Sequence, residues 1–84
     1  MNKELTEILE LLKEKKLIIA EKKCLNLISK INNNFEIFNI YAVILFQLNK
    51  YDEAIVQWKK AIECNPKYYF GYNNLGNAFT VLNK

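Results

Sequence analysis

The amino-acid sequence predicts an all-α fold, five helices stacked as antiparallel pairs into an α-solenoid, and three observations predict it. Every strong apolar pattern in the chain has the helical period of i, i+3, i+4 and i+7, and none has the alternation of a strand. Side chains of matching size recur 34 positions apart. The single Pro and the short Asn- and Lys-containing links fall between the periodic stretches. Of the 84 residues, 51% are hydrophobic and 25% charged, a globular balance that argues against disorder. A chain this short buries only about 60–70% of its unfolded surface, so one compact core would be marginal.

The elements follow in order. Residues 3–15 place Leu5, Ile8, Leu9 and Leu12 on one helical face. Residues 17–31 do the same with Leu17, Ala20, Cys24 and Leu27, and the Asn run at 32–34 ends that helix. Residues 35–48 carry Phe38, Tyr41, Ala42 and Leu45 on one face. Asn49 is expected to cap the next helix, whose stripe is Tyr51, Ala54, Ile55, Trp58, Ala61 and Ile62. Asp52 and Glu53 lie in its first turn and Lys59 and Lys60 toward its other end, which suits the helix dipole. Pro66 stops it, because a residue before Pro is pushed out of the α region. A last helix is expected over 67–82, with Tyr72, Leu75, Gly76 and Phe79 on one face. The short link before Tyr51 makes the third and fourth helices antiparallel neighbours.

The period is 34. Phe38 and Tyr72, Tyr41 and Leu75, Ala42 and Gly76, and Leu45 and Phe79 are each that far apart. So are Ala20 and Ala54, Cys24 and Trp58, Leu27 and Ala61, and Asn32 and Pro66. With "YNNLGNAF" at 72–79 and "YDEAIVQWKKAIECNP" at 51–66, the chain resembles the tetratricopeptide repeat (TPR) family, a 34-residue helix-turn-helix unit. The resemblance implies a repeat core of Phe38, Tyr41, Ala42, Leu45, Ala54, Trp58, Ala61 and Pro66, in which small residues let two helices approach and large ones fill the space opposite. Residues 35–68 make a complete repeat, and 69–84 supply the first helix of another. Residues 1–34 make a degenerate one, with Asn32 where Pro is expected. Its first helix fits best when slid by one, the connecting turn being a residue shorter. Glu21, Ile18 and Ile19 depart from the family pattern. The whole of 1–84 therefore reads as one segment of a longer array.

Chemistry finds little support. The chain has no His, the commonest general base and metal ligand. Cys24 and Cys64 lack metal-ligand or disulfide-framework spacing. Cys24 occupies the place of Trp58 one repeat earlier and reads as a small core hydrophobe; Cys64 is expected to pack as well. No phosphate-cradling Gly loop exists, since Gly71 opens a helix and Gly76 is expected to serve helix packing. Glu7, Glu10 and Glu14 fall among Lys neighbours on a solvated face. We therefore expect no catalytic residue, no metal and no cofactor. A net charge of +3 carried only by Lys, with no basic run, gives no footprint for nucleic acid. The most apolar run, "IYAVILF" at 40–46, is too short to span a bilayer, and the N-terminus lacks the apolar stretch of a signal peptide. The expected compartment is cytoplasmic or nuclear.

What remains is binding of a protein or peptide partner. In the family it resembles, the first helices of successive repeats line a concave groove. Carried over, the complete repeat offers Asn39, Ile40, Val43, Phe46 and Gln47 beside Glu36, and the last helix offers Phe70, Asn73, Asn74 and Asn77 beside Thr80 and Val81. The degenerate repeat would offer Lys3, Thr6, Glu7, Glu10 and Lys13. Asn amides both donate and accept, which suits an extended peptide backbone, although an Asn-rich chain exposes Asn in any case. Ile40, Val43 and Phe46 either floor the groove or pack between helices. A clamp for a C-terminal carboxylate is not expected, because its matching places hold Thr6, Glu10, Ile40, Phe70 and Asn74, with no cation among them. The stripe of Tyr72, Leu75, Gly76 and Phe79 would face water and is a candidate for self-association into a homo-oligomer. Two further readings are a regulatory or targeting arm of a larger enzyme and a self-assembly module.

Overall fold

Residues 3–31 and 33–83 are described by the computed structural model, and they form five helices. These are α1 (Lys3–Lys13), α2 (Leu17–Lys30), α3 (Phe35–Gln47), α4 (Tyr51–Cys64) and α5 (Tyr69–Leu82). Each helix packs on the next in sequence, with a smaller contact between α1 and α3, so the chain is a stack of hairpins. No strand occurs among the described residues.

The turns explain why the helices end where they do. At the end of α1, Lys16 N–H donates to Leu11 O and Lys15 N–H to Leu12 O, with Lys15 in the left-handed region at φ 63°. At the end of α3, Lys50 N–H donates to Leu45 O and Asn49 N–H to Phe46 O, with Asn49 at φ 64°. Both are the crossed hydrogen bonds that close a helix C-terminus through one left-handed residue. The two turns are equally long and superpose under the repeat period. The first hairpin is thus in register with the second, and the slide by one with a shorter turn is not observed. Asn49 does not cap α4 either. Lys50 holds the cap position without a side-chain bond, and Asn49 is consumed in closing α3, its Oδ1 accepting from the Tyr51 hydroxyl at 2.7 Å.

Asn34 caps α3, its Oδ1 accepting from Ile37 N–H at 3.1 Å, as an Asn preceding a helix should. Asn65 Oδ1 accepts from Lys67 N–H at 3.2 Å, and this turn delays α5 until Tyr69, two residues later than the periodicity predicts. Pro66 sits exposed in that turn, so it acts by redirecting the chain and not as a core residue. Asn32 lies outside the described residues.

Two buried clusters run through the stack. The first joins Leu5, Ile8, Ala20, Cys24, Leu27, Ile37 and Ile44, and the second joins Ala42, Leu45, Ala54, Ile55, Trp58 and Ala78. Equivalent places exchange size between them. Ile8 stands where Ala42 stands one repeat later, and Cys24 stands where Trp58 does. A larger residue on one helix compensates a smaller one on its partner, which holds total volume and keeps the degenerate repeat packed. Tyr41 is only half-buried and bridges the clusters, while Phe38 is buried. Ile37 and Ile44 seal the second hairpin to the first, and Gly71 and Ala78, at the same places one period on, seal α5 to the second hairpin. The fit is close at Gly71, where a Cβ would lie 3.1 Å from Ile62 Cγ1 and from Tyr68 Cδ2, so those side chains would have to give way to any larger residue. Glu21 departs from the family pattern for a visible reason: it accepts from Lys50 Nζ at 2.7 Å and ties α2 to the start of α4. Ile18 and Ile19 are exposed.

Candidate protein-interaction surface

The buried indole of Trp58 sets the geometry between α3 and α5. Its Nε1–H donates to Asn39 Oδ1 at 2.8 Å, and Asn74 Nδ2 donates to the same oxygen at 3.0 Å. An indole N–H is a donor only, so the Asn39 atom facing it must be the carbonyl oxygen. Asn74 must then turn its amide nitrogen inward to reach that oxygen. The orientation of both amides is fixed by one aromatic residue of α4. Asn39 Nδ2 and Asn74 Oδ1 make no hydrogen bond among the described residues, which leaves a donating amide nitrogen on α3 and an accepting amide oxygen on α5. Of the groove candidates, these are the two that the structure joins.

The other candidates are distributed around that pair. Phe70, Asn73, Asn77 and Gln47 are exposed, with Phe70 at 61%. Gln47 Oε1 accepts from Lys15 Nζ at 3.5 Å. Ile40 is half-buried against the first cluster, and Val43 and Phe46 against the second. Phe46 lies with its ring centroid 5.0 Å from Tyr51 and 5.8 Å from Trp58, so much of its apolar surface is committed to α4. Sequence reasoning passed over an aromatic chain at the α5 entrance. Phe35 meets Tyr68 edge-on at 4.7 Å, and Phe70 stands 6.1 Å from Tyr68 and 5.7 Å from Tyr69. Burial, with the Glu36 carboxylate nearby, pushes the Tyr68 hydroxyl above its usual range. The signal was present as three consecutive aromatics after Lys67, but helical periodicity does not single it out.

A separate flank of α5 carries Tyr72, Gly76 and Phe79. Tyr72 is 50% exposed and Phe79 42%, and a Cβ at Gly76 would meet nothing within 4 Å. No described residue packs on Gly76. Leu75 is half-buried against the second cluster and only partly belongs to this face.

The cysteines differ from one another. Cys24 is fully buried in the first cluster, and burial pushes its thiol up to about 12. Cys64 is exposed, not packed as expected, because α4 ends there and its side chain faces an open pocket of about 560 Å³ shared with Asn33, Phe38, Lys60 and Glu63. Lys60 Nζ lies 6.0 Å over the Phe38 ring on the same side. Among the described residues no set of three His, Cys, Asp or Glu side chains could hold a metal ion, and no helix is long and apolar enough to cross a membrane.

Helix pairs stacked in one register, with small and large residues alternating across each pair, define an α-solenoid segment of the kind that mediates protein–protein interaction. Residues 43–80 match the family model described as TPR repeat, a span from the middle of α3 through α4 and most of α5. Residues 43–80 and the five-helix stack are thus consistent with a TPR-type repeat, as the size pattern of "YNNLGNAF" and "YDEAIVQWKKAIECNP" led us to expect. A search of curated proteins finds no match.

Proposed function

We propose that this chain is a non-catalytic interaction scaffold that holds an extended peptide segment of a partner protein across α3 and α5. The observation that carries the reading is the Trp58–Asn39–Asn74 network. It costs the peptide little ordering, because the protein's amides are already oriented before binding. Asn39 Nδ2 would donate to a peptide carbonyl and Asn74 Oδ1 would accept a peptide N–H, the alternation an extended backbone offers. Asn73 and Asn77, exposed on the same helix, extend the amide row, and Phe70 adds a flat apolar surface for a side chain. The edges of Val43 and Phe46 left open beside them supply the remaining apolar contact.

A displayed library of random peptides, screened against the 84-residue chain, tests this. The best binder is then titrated calorimetrically against Val43→Glu, Asn74→Ala and Asn77→Ala. We expect Asn74→Ala to weaken binding at least about tenfold, the loss of one well-placed hydrogen bond in a desolvated contact. If all three variants bind as the parent does, the peptide lies elsewhere and the proposal fails.

A further inference from the structure

The entrances of α3 and α5 carry side chains that the amide row does not use, and we propose that Glu36, Tyr68 and Phe70 form a subsite for a basic side chain, lysine or arginine, of the bound peptide. The inference rests on the peptide-holding role of Asn39 and Asn74 proposed above. Glu36 is the sole charged residue of α3, and α5 has none. It is exposed and makes no ion pair among the described residues. Phe35 meets Tyr68 edge-on at 4.7 Å and Phe70 lies 6.1 Å from Tyr68, so the rings form one connected surface. Burial first, and the Glu36 charge second, raise the Tyr68 hydroxyl, so the carboxylate acts within electrostatic reach of those rings. The exposure of Phe70 belongs to its place in the repeat. One period earlier that place is Glu36, which stays exposed although α5 is stacked on the second hairpin. Tyr69 is different, because its counterpart Phe35 is half-covered by Tyr68, and it is left out of the subsite.

The occupant follows from charge and from spacing. A carboxylate beside aromatic rings attracts a cation twice, by ion pairing and through the ring quadrupole. An acidic side chain would meet Glu36 and find no cation on either helix. Glu36 stands three residues before Asn39, and Phe70 four before Asn74. Each therefore lies on the same helix face as its amide, about 5 Å along the axis. An extended peptide rises about 3.3 Å per residue, so a side chain one or two residues from the amide-bound unit reaches the subsite. An acid in a first turn also eases the helix dipole, an effect that stability measurements register equally well. The charge of the selected peptide separates the two roles.

A displayed library of random peptides, selected in parallel on the 84-residue chain and on its Glu36→Gln, Glu36→Lys, Phe70→Ala and Asn74→Ala variants, tests this. Glu36 and Phe70 are exposed, so these variants should keep the helical circular dichroism of the parent. The parent pool should be enriched in Lys or Arg at one fixed position, at least about threefold over the unselected library. Glu36→Gln and Phe70→Ala should each reduce that enrichment, and Glu36→Lys should replace it with Asp or Glu at the same position. The tightest peptide of the parent pool should bind Glu36→Gln about two- to fivefold more weakly and with a flatter dependence on salt. A pool that depends on Asn74 yet shows no basic enrichment overturns this inference and leaves the amide-pair reading standing. So does a basic enrichment that survives Glu36→Lys. If no peptide is selected, or the pool is indifferent to Asn74→Ala, the amide-pair reading fails and this inference falls with it.

Discussion

Replacing Asn39 by Ala removes the oxygen that serves both Trp58 and Asn74. Trp58 is 2% exposed, so its indole N–H is left without a partner in a place water reaches poorly. A buried donor stranded in this way costs about 1–3 kcal/mol. Asn39 itself is half-buried, which admits some water and places the expected loss near the lower end. Trp58→Phe approaches the same bond from the other side. It removes the donor and leaves Asn39 Oδ1 with the Asn74 amide, so its cost is mostly lost ring volume, roughly 1–3 kcal/mol. The double variant has no stranded indole, and its loss should fall short of the sum by about 1–2 kcal/mol. Urea unfolding followed by far-UV circular dichroism measures all four corners of the cycle, because Trp58 fluorescence is lost in two of them. At this chain length each kcal/mol also moves Tm by about 4–8 °C, an independent check. Additivity within about 0.5 kcal/mol would refute the reasoning, since it would mean that the shared oxygen does not orient the amide pair.

Other outcomes are open to simpler tests. Lys15 holds a left-handed conformation that glycine adopts without strain, so Lys15→Gly should stabilise the chain by about 0.5–1 kcal/mol in urea unfolding, while Asn49→Gly should change it less. Gly76→Ala adds a methyl group to open space in mid-helix and should raise the stability of the monomer by about 0.5–1 kcal/mol. A thiol reagent at neutral pH should modify one cysteine per chain quickly, Cys64, and reach Cys24 only on unfolding. Alkaline pH should destabilise the fold. Cys24 is pushed up to about 12 by burial, Tyr41 is raised by burial and by the Glu21 and Glu53 carboxylates, and Lys50 is raised by its hydrogen bond to Glu21. Each raised group contributes stability in full below its unfolded pKa and loses it as pH climbs to the folded one. For the Cys24 thiol the loss begins near about pH 8.5 and continues to about 12. Cys24→Ala should flatten the first part of that decline in denaturant titrations at pH 8 to about 10.5.

The helices and their pairing were legible because the constraint on them is periodic. A stripe such as Ala54, Trp58, Ala61 can satisfy only one helical face, and its recurrence after 34 residues fixes the stacking. The turns were less legible, because Asn is equally at home as an N-cap and as a left-handed C-terminal residue. Asn34 takes the first role and Asn49 the second, and the choice is decided by which backbone groups the flanking helices leave unpaired. The apparent slip of the first repeat had a similar origin. Ile8 and Cys24 exchange the sizes found at Ala42 and Trp58, so a one-sided match of large to large placed the first helix a residue out of register.

The geometry of the candidate surface was half legible for a deeper reason. Sequence position assigned Asn39 and Asn74 to the inner face, but their value lies in a hydrogen bond spanning 35 residues that no local pattern encodes. Trp58 was visible only as a core residue, yet its single N–H decides which atoms of both amides remain for a ligand. The same residue therefore fills the repeat and orients the surface. Trp58→Phe removes that donor; the Asn39–Asn74 bond can persist, but nothing then fixes which way the pair points, so the stack should stand at the cost of some ring volume while the amides lose their set orientation. If Trp58→Phe keeps the fold but loses selectivity between peptides, the packing of this repeat and its recognition are coupled through one nitrogen atom.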